Sequence, residues 1–136
     1  MGMDFLARRE HSEQELRQKL AARAEDADEV EEVLRQLKEE RLLSDERFTE
    51  AYVHHRFGAG IGPVKIRYEL RQKGVDESLV DAFLEPLADE WDDLMRQQRA
   101  RKYGAAIPQD YSARMKQARF LQNRGFSPES VMRLFR

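Results

Sequence analysis

Cysteine is missing from all 136 residues. Disulfides and thiolate metal sites are therefore excluded, and the chain suits a reducing, cytoplasmic setting. No apolar run approaches the length of a signal-peptide core or a membrane span, so a soluble protein with no membrane partner is expected. Leu, Ile, Val and Phe together supply only about 23 % of the chain, just above the range where disorder becomes the default.

Catalytic chemistry is equally scarce. The three histidines are His11, His54 and His55. Neighbouring side chains on a helix point about 100° apart, so the adjacent pair is a poor start for a metal site. The carboxylates form no calcium loop and no metalloprotease motif. Gly58, Gly60 and Gly62 alternate as in a phosphate cradle, but no strand precedes them and no Gly-Lys-Ser/Thr follows. A corner between helices is the better reading. No enzyme activity, metal or cofactor is expected.

What the chain does have is a helical unit repeated three times. The clearest copy is Gly62–Leu84. Gly62 can cap a helix and Pro63 fits its first turn. Ile66 and Leu70 share one face. Gly74 stands where chains leave helices in a left-handed conformation. Asp76 can cap a second helix carrying Leu79, Val80, Phe83 and Leu84. Fifty residues upstream, Leu16, Leu20, Val30, Leu34 and Leu37 match Ile66, Leu70, Val80, Leu84 and Leu87. At a shift of fifty-one downstream, Lys116, Leu121, Arg124, Gly125, Phe126 and Val131 match Lys65, Leu70, Lys73, Gly74, Val75 and Val80.

A period near fifty marks a repeat array with three helices per unit. The expected fold is all-α: three tandem three-helix repeats over residues 1–43, 44–85 and 86–136, forming an elongated, curved array of stacked units. Ser12 with Glu15, and Asp26 with Glu29, read as capping boxes. Ala24 stands where the later units have Gly74 and Gly125, so the first corner should be built differently. Ser44 should cap a helix containing Phe48, Ala51, Tyr52 and His55, ended by Gly58. Pro86 should open a helix carrying Leu87, Trp91, Leu94 and Met95. Trp91, Phe48, Tyr52 and Phe120 fall at core spacing.

The net charge of −2 conceals a gradient. Residues 1–50 carry 9 basic and 15 acidic side chains, with an acid-rich run over Glu25–Glu32, whereas residues 101–136 carry 8 basic and 2 acidic ones. Such asymmetry lets two ends meet different surfaces. The candidate contact residues for an anionic partner are Lys65, Arg67, Arg71 and Lys73 in the middle unit. Arg99, Arg101 and Lys102 lie between units, and Arg114, Lys116, Arg119 and Arg124 in the last.

The segment Leu42–Asp76, LLSDERFTEAYVHHRFGAGIGPVKIRYELRQKGVD, closely resembles the RecX family of bacterial regulatory proteins. RREHSEQELRQKL near the start and KQARFLQNRGFS near the end fit the same family. The stretch before Arg-Arg-Glu-His-Ser is shorter than the family's usual first helix. The resemblance implies a monomeric modulator of the RecA recombinase. Such a protein binds in the groove of the RecA filament on single-stranded DNA and inhibits strand exchange, ATP hydrolysis and co-protease activity. It does so by blocking filament growth or promoting disassembly. The alternative is a DNA-binding protein of helix-turn-helix type acting on single- or double-stranded DNA without the recombinase. The acidic first unit makes strong autonomous DNA binding less expected.

Overall fold

A computed structural model describes residues 2–6, 9–24 and 26–136. Met1, Ala7 and Arg8 of the expected opening helix, and Glu25 of the acidic run, lie outside the described residues. The helices among them are α1 (Gly2–Leu6), α2 (Glu13–Ala21), α3 (Ala27–Glu39), α4 (Asp45–Gly58), α5 (Pro63–Gln72), α6 (Glu77–Leu84), α7 (Trp91–Tyr103), α8 (Tyr111–Asn123) and α9 (Pro128–Leu134). No strand occurs among the described residues. The fold is all-α, in three three-helix repeats.

The chain divides into two compact units, Met1–Tyr52 with Leu70–Asp81, and Val53–Glu69 with Ala82–Arg136. In the first, Phe5, Leu16, Leu20, Val30, Leu34, Leu37 and Leu43 form a buried cluster. Helix α2 begins with a complete capping box: the Ser12 hydroxyl accepts from the Glu15 N–H, and the Glu15 carboxylate accepts from the Ser12 N–H. Such a cap stabilises a helix by about 1 kcal/mol. Asp26 also caps, but its carboxylate accepts from the Asp28 N–H.

In the second unit, Leu94, Met95, Ala118, Leu121, Phe126, Val131 and Phe135 are buried together between α7, α8 and α9. Phe57 and Trp91 meet edge-on at 5.3 Å between ring centroids. Pro86 lies in a 3₁₀ turn, Glu85–Leu87, and α7 starts only at Trp91. The expected helix opening at Pro86 is corrected accordingly. Leu87 is half-buried where its counterpart Leu37 is fully buried. On α4 the buried residues are Phe48, Thr49 and Val53, while Ala51 and His55 are exposed.

One junction is built twice. Gly74 has φ 78° and Gly125 has φ 101°, the left-handed region that glycine tolerates. In the first unit, the Ser12 hydroxyl at the start of α2 donates to the Lys73 carbonyl at 2.8 Å. In the second, the Gly62 N–H at the start of α5 donates to the Arg124 carbonyl at 2.8 Å. The Val64 N–H donates to the Gly125 carbonyl at 2.9 Å. Ser12 and Gly62 are repeat equivalents, as are Lys73 and Arg124. The leading helix of one repeat thus donates to carbonyls at the glycine corner of the next, through a side-chain hydroxyl at α2 and through orphan backbone N–H groups at α5. A Cβ on Gly62 would lie 2.5 Å from the Gly125 backbone, so this glycine is required by the close approach of the two corners. The first repeat leaves α2 through Ala22 in right-handed conformation. Among the described residues the one non-glycine with positive φ is Arg41, at 60°.

Candidate partner-binding surface

The eleven basic residues singled out in the sequence fall into three groups. The first group holds the protein's own backbone. Arg99 is 3 % exposed, and its guanidinium donates to the carbonyls of Gly104, Ala105 and Ala106 and to Gln117 Oε1. It cannot present charge to a partner as the sequence suggested, because the loop after α7 is folded around it. Arg114 donates to the Pro108 and Phe135 carbonyls at 2.7 and 3.0 Å. Arg124 donates to the Ala59 carbonyl at 2.8 Å and to Gln98 Oε1 at 2.9 Å. Lys65 reaches the Asn123 carbonyl at 3.5 Å.

The second group is tied to carboxylates or half-buried. Lys73 Nζ pairs with Glu15 at 3.1 Å and lies 5.6 Å from the Tyr52 ring. Arg71 pairs with Glu77 at 3.3 Å. Arg67 is half-buried on α5. Burial pushes the Glu15 carboxyl up, but Arg9, the Ser12 N–H and Lys73 outweigh it and hold the group below the usual carboxylate range.

The third group is Arg101, Lys102, Lys116 and Arg119, all exposed. Among the described residues none of the four pairs with a carboxylate. Lys102 Nζ sits 4.2 Å from the Phe120 ring centroid, and Tyr103 meets Phe120 edge-on at 5.6 Å. These contacts bring the end of α7 beside the stretch of α8 that carries Lys116 and Arg119. No acidic residue occurs within α8. Tyr111 and Met115 stand four apart on the same helix, 75 % and 37 % exposed. Met115 is the repeat equivalent of Val64, which is also exposed, as is Tyr68 one turn later. Sequence reasoning passed over these apolar residues. Their signal was an i, i+4 pair falling off the core register of each helix.

The arrangement is a group of exposed cations without carboxylate partners among the described residues, with exposed apolar side chains on α8. Exposed apolar side chains beside unpaired cations suit a macromolecular partner better than a small molecule. Among the described residues no cluster of three His, Asp or Glu could hold a metal ion. No helix of the described residues is long and apolar enough to cross a membrane.

Profiles of the first, second and third three-helix domains of RecX match residues 1–37, 44–84 and 88–135. The chain is 46 % identical over 127 residues to the regulatory protein RecX of Halorhodospira halophila, covering 93 % of this chain and 79 % of that one. It is 41 % identical over 132 residues to the regulatory protein RecX of Pseudomonas fluorescens, covering 97 % and 85 %. A crystal structure of a regulatory protein RecX matches with a TM-score of 0.80 at 27 % identity, over 98 % of this chain and 66 % of that one. The crystal structure of RecX from Lactobacillus salivarius, at 21 % identity, shares the fold with a TM-score of 0.79, over 96 % of this chain and 86 % of that one. With all three repeats matched in order and relatives above 40 % identity spanning nearly the whole chain, the protein belongs to the RecX family of regulatory proteins.

Proposed function

We propose that the protein is a non-enzymatic regulator of the RecA recombinase in the cytoplasm. It binds the filament that RecA forms on single-stranded DNA. There it lowers strand exchange, ATP hydrolysis and co-protease activity by blocking growth or promoting disassembly. Family membership supports the regulatory role. The observation that carries the contact assignment is the acid-free helix α8 beside the end of α7, where, among the described residues, Arg101, Lys102, Lys116 and Arg119 have no carboxylate partner and Tyr111 and Met115 are exposed. Within the second group, Arg71 and Lys73 are already neutralised by Glu77 and Glu15, so they are secondary contacts. The protein acts as a monomer in this reading.

The test is a RecA ATPase assay on single-stranded DNA. Inhibition at micromolar protein is expected, and its absence removes the proposal. Replacing Lys116 and Arg119 by Gln should weaken filament binding. If both contact phosphate of the single strand, the slope of log affinity against log salt should fall by about 1.4. The same face favours a second reading, direct DNA binding without recombinase. Equal affinity for a free oligonucleotide and for the filament would select it.

A further inference from the structure

The first repeat holds an amine and a base in direct contact. His11, just before α2, is buried. Its Nδ1 lies beside the Arg9 carbonyl, which can only accept, so the ring proton sits on Nδ1 and Nε2 keeps its lone pair. That lone pair meets Nζ of Lys19, on α2, at 2.7 Å. A nucleophile, a base within hydrogen-bond reach and a third group that orients the base are the parts from which activated nucleophiles are built. Here they are Lys19, His11 and the Arg9 carbonyl. Lys19 is half-buried, so a small reagent in solution can reach its amino group.

The other lysines have different partners. Lys38 and Lys73 pair with Glu13 and Glu15. Lys65 reaches the Asn123 carbonyl, Lys102 lies over the Phe120 ring, and Lys116 is exposed. Among the described residues none of these five meets an imidazole. The surroundings of Lys19 are distinct in charge as well. Lys19 and Arg23 lie 5.2 and 4.7 Å from the centroid of the Phe5 ring, which also packs against His11. Neither cation pairs with a carboxylate among the described residues, in a repeat where Arg9, Arg17, Arg35 and Lys38 all do. Arg23 is exposed, so its charge can draw an anionic reagent towards the amine.

We infer that Lys19 is a site of covalent acylation, with an acyl phosphate as the donor, His11 as the base and Arg23 beside the donor's phosphate. The amine form of Lys19 attacks the acyl carbon. As the N–C bond forms, the Nζ proton passes to His11 Nε2. The bond from the acyl carbon to the phosphate oxygen breaks, and phosphate leaves with its electron pair. Burial disfavours the charged imidazole, so His11 hands the proton to the departing phosphate and returns to its neutral form. The products are an amide on Lys19 and free phosphate, and no oxidant or reductant is consumed. The site does not depend on the recombinase reading, since it is defined by this chain alone.

The test is to incubate the whole chain with acetyl phosphate and follow acetylation of each lysine by mass spectrometry. Lys19 should react faster than Lys116, although Lys116 is the more exposed. His11→Gln keeps a donor for the Arg9 carbonyl and an acceptor for Lys19 but supplies no base. It should lower the Lys19 rate relative to that of Lys116 by roughly tenfold or more, since a positioned general base contributes at least that much. In the unaltered protein, Lys19 should also show a larger solvent deuterium isotope effect than Lys116, a readout that needs no variant. Arg23→Gln should slow acetylation of Lys19 by acetyl phosphate and leave its reaction with uncharged N-acetoxysuccinimide unchanged. The inference is overturned if Lys19 reacts no faster than Lys116, if His11→Gln preserves the ratio of the two rates, or if their isotope effects are equal. An Arg23→Gln variant that slows neither reagent, or both alike, overturns the assignment of an anionic donor.

Discussion

The first and third repeats share one helical plan, yet they use their cations in opposite ways. In the first, cations are spent on carboxylates. Arg17 bridges Glu13 and Glu31, Lys38 reaches Glu13, and Arg35 joins Glu32 and Glu39. In the third, three arginines are spent on backbone carbonyls, and four basic residues face solvent without a carboxylate. The lesson is that net charge alone does not locate a contact surface. A basic residue becomes available only where neither a carboxylate nor a loop carbonyl claims it.

The largest test of that contrast is at the corners. Gly125→Ala should destabilise by about 2 to 5 kcal/mol, combining left-handed strain with overpacking. The added methyl would collide with the Lys65 Cβ, and φ is 101°. Ala24→Gly at the equivalent first corner should change little, because no left-handed residue is used there. Urea unfolding followed by helical circular dichroism reads both.

Next is Arg99→Met. It leaves three carbonyls and the Gln117 amide without their donor and should cost about 2 to 3 kcal/mol, whereas Arg101→Met should leave the unfolding midpoint in place. Equal effects would erase the distinction drawn between the buried clamp and the solvent-facing cation.

The third prediction concerns pH, and its sign is set by the first repeat. His11 is 1 % exposed. Its Nδ1 lies 3.1 Å from the Arg9 carbonyl, which can only accept, so Nδ1 carries the proton and Nε2 accepts from Lys19 at 2.7 Å. Burial holds His11 below its ordinary value of 6.5, against the Arg9 carbonyl, and the charges of Arg9 and Lys19 act with burial. The folded state therefore resists protonation. Stability should be full above pH 6.5 and decline as pH falls from there through the lowered folded value. Glu15, also held low, adds a further loss in the acid range as pH falls through its folded value. Asp45 is raised by burial, and by the nearby Glu13, against the hydrogen bond it accepts from the Glu13 N–H. It works in the opposite direction, gaining stability as pH falls through its folded value. His11→Gln should flatten the decline between pH 7 and 5; an unchanged profile would refute the assignment to His11.

The smallest effect is expected at the outer ion pairs of α3. Arg35 and both its partners are more than half exposed, and solvent screening leaves such pairs little net value. Arg35→Gln should shift neither the unfolding midpoint nor filament affinity. A loss of filament affinity would mean that the acidic repeat, too, offers a contact surface.

Much of the fold was legible because its signals are local. The matched positions Leu16, Ile66 and Leu20, Leu70, Leu121 are all essentially buried, since a helix face repeats every three to four residues whatever lies opposite. Ser12 and Asp26 cap the helices that follow them, because a cap and its target lie within three residues. Gly74 and Gly125 announced left-handed corners for the same reason. The site was harder to read. Helical spacing puts Arg99, Arg114 and Arg124 among the candidate contacts as easily as Lys116, and only the folded loops reveal which carbonyls they serve.

The amino-acid order by itself settled the all-helical class, the caps at Ser12 and Asp26 and the glycine corners. These follow from interactions within a few residues, while the helix after Pro86 began later than its pattern implied. Tertiary structure decided which cations remain free, that Arg99 is a buried clamp, and that His11 meets Lys19. Those outcomes depend on partners 5 to 65 positions away along the chain, and no local periodicity encodes a contact at such separation.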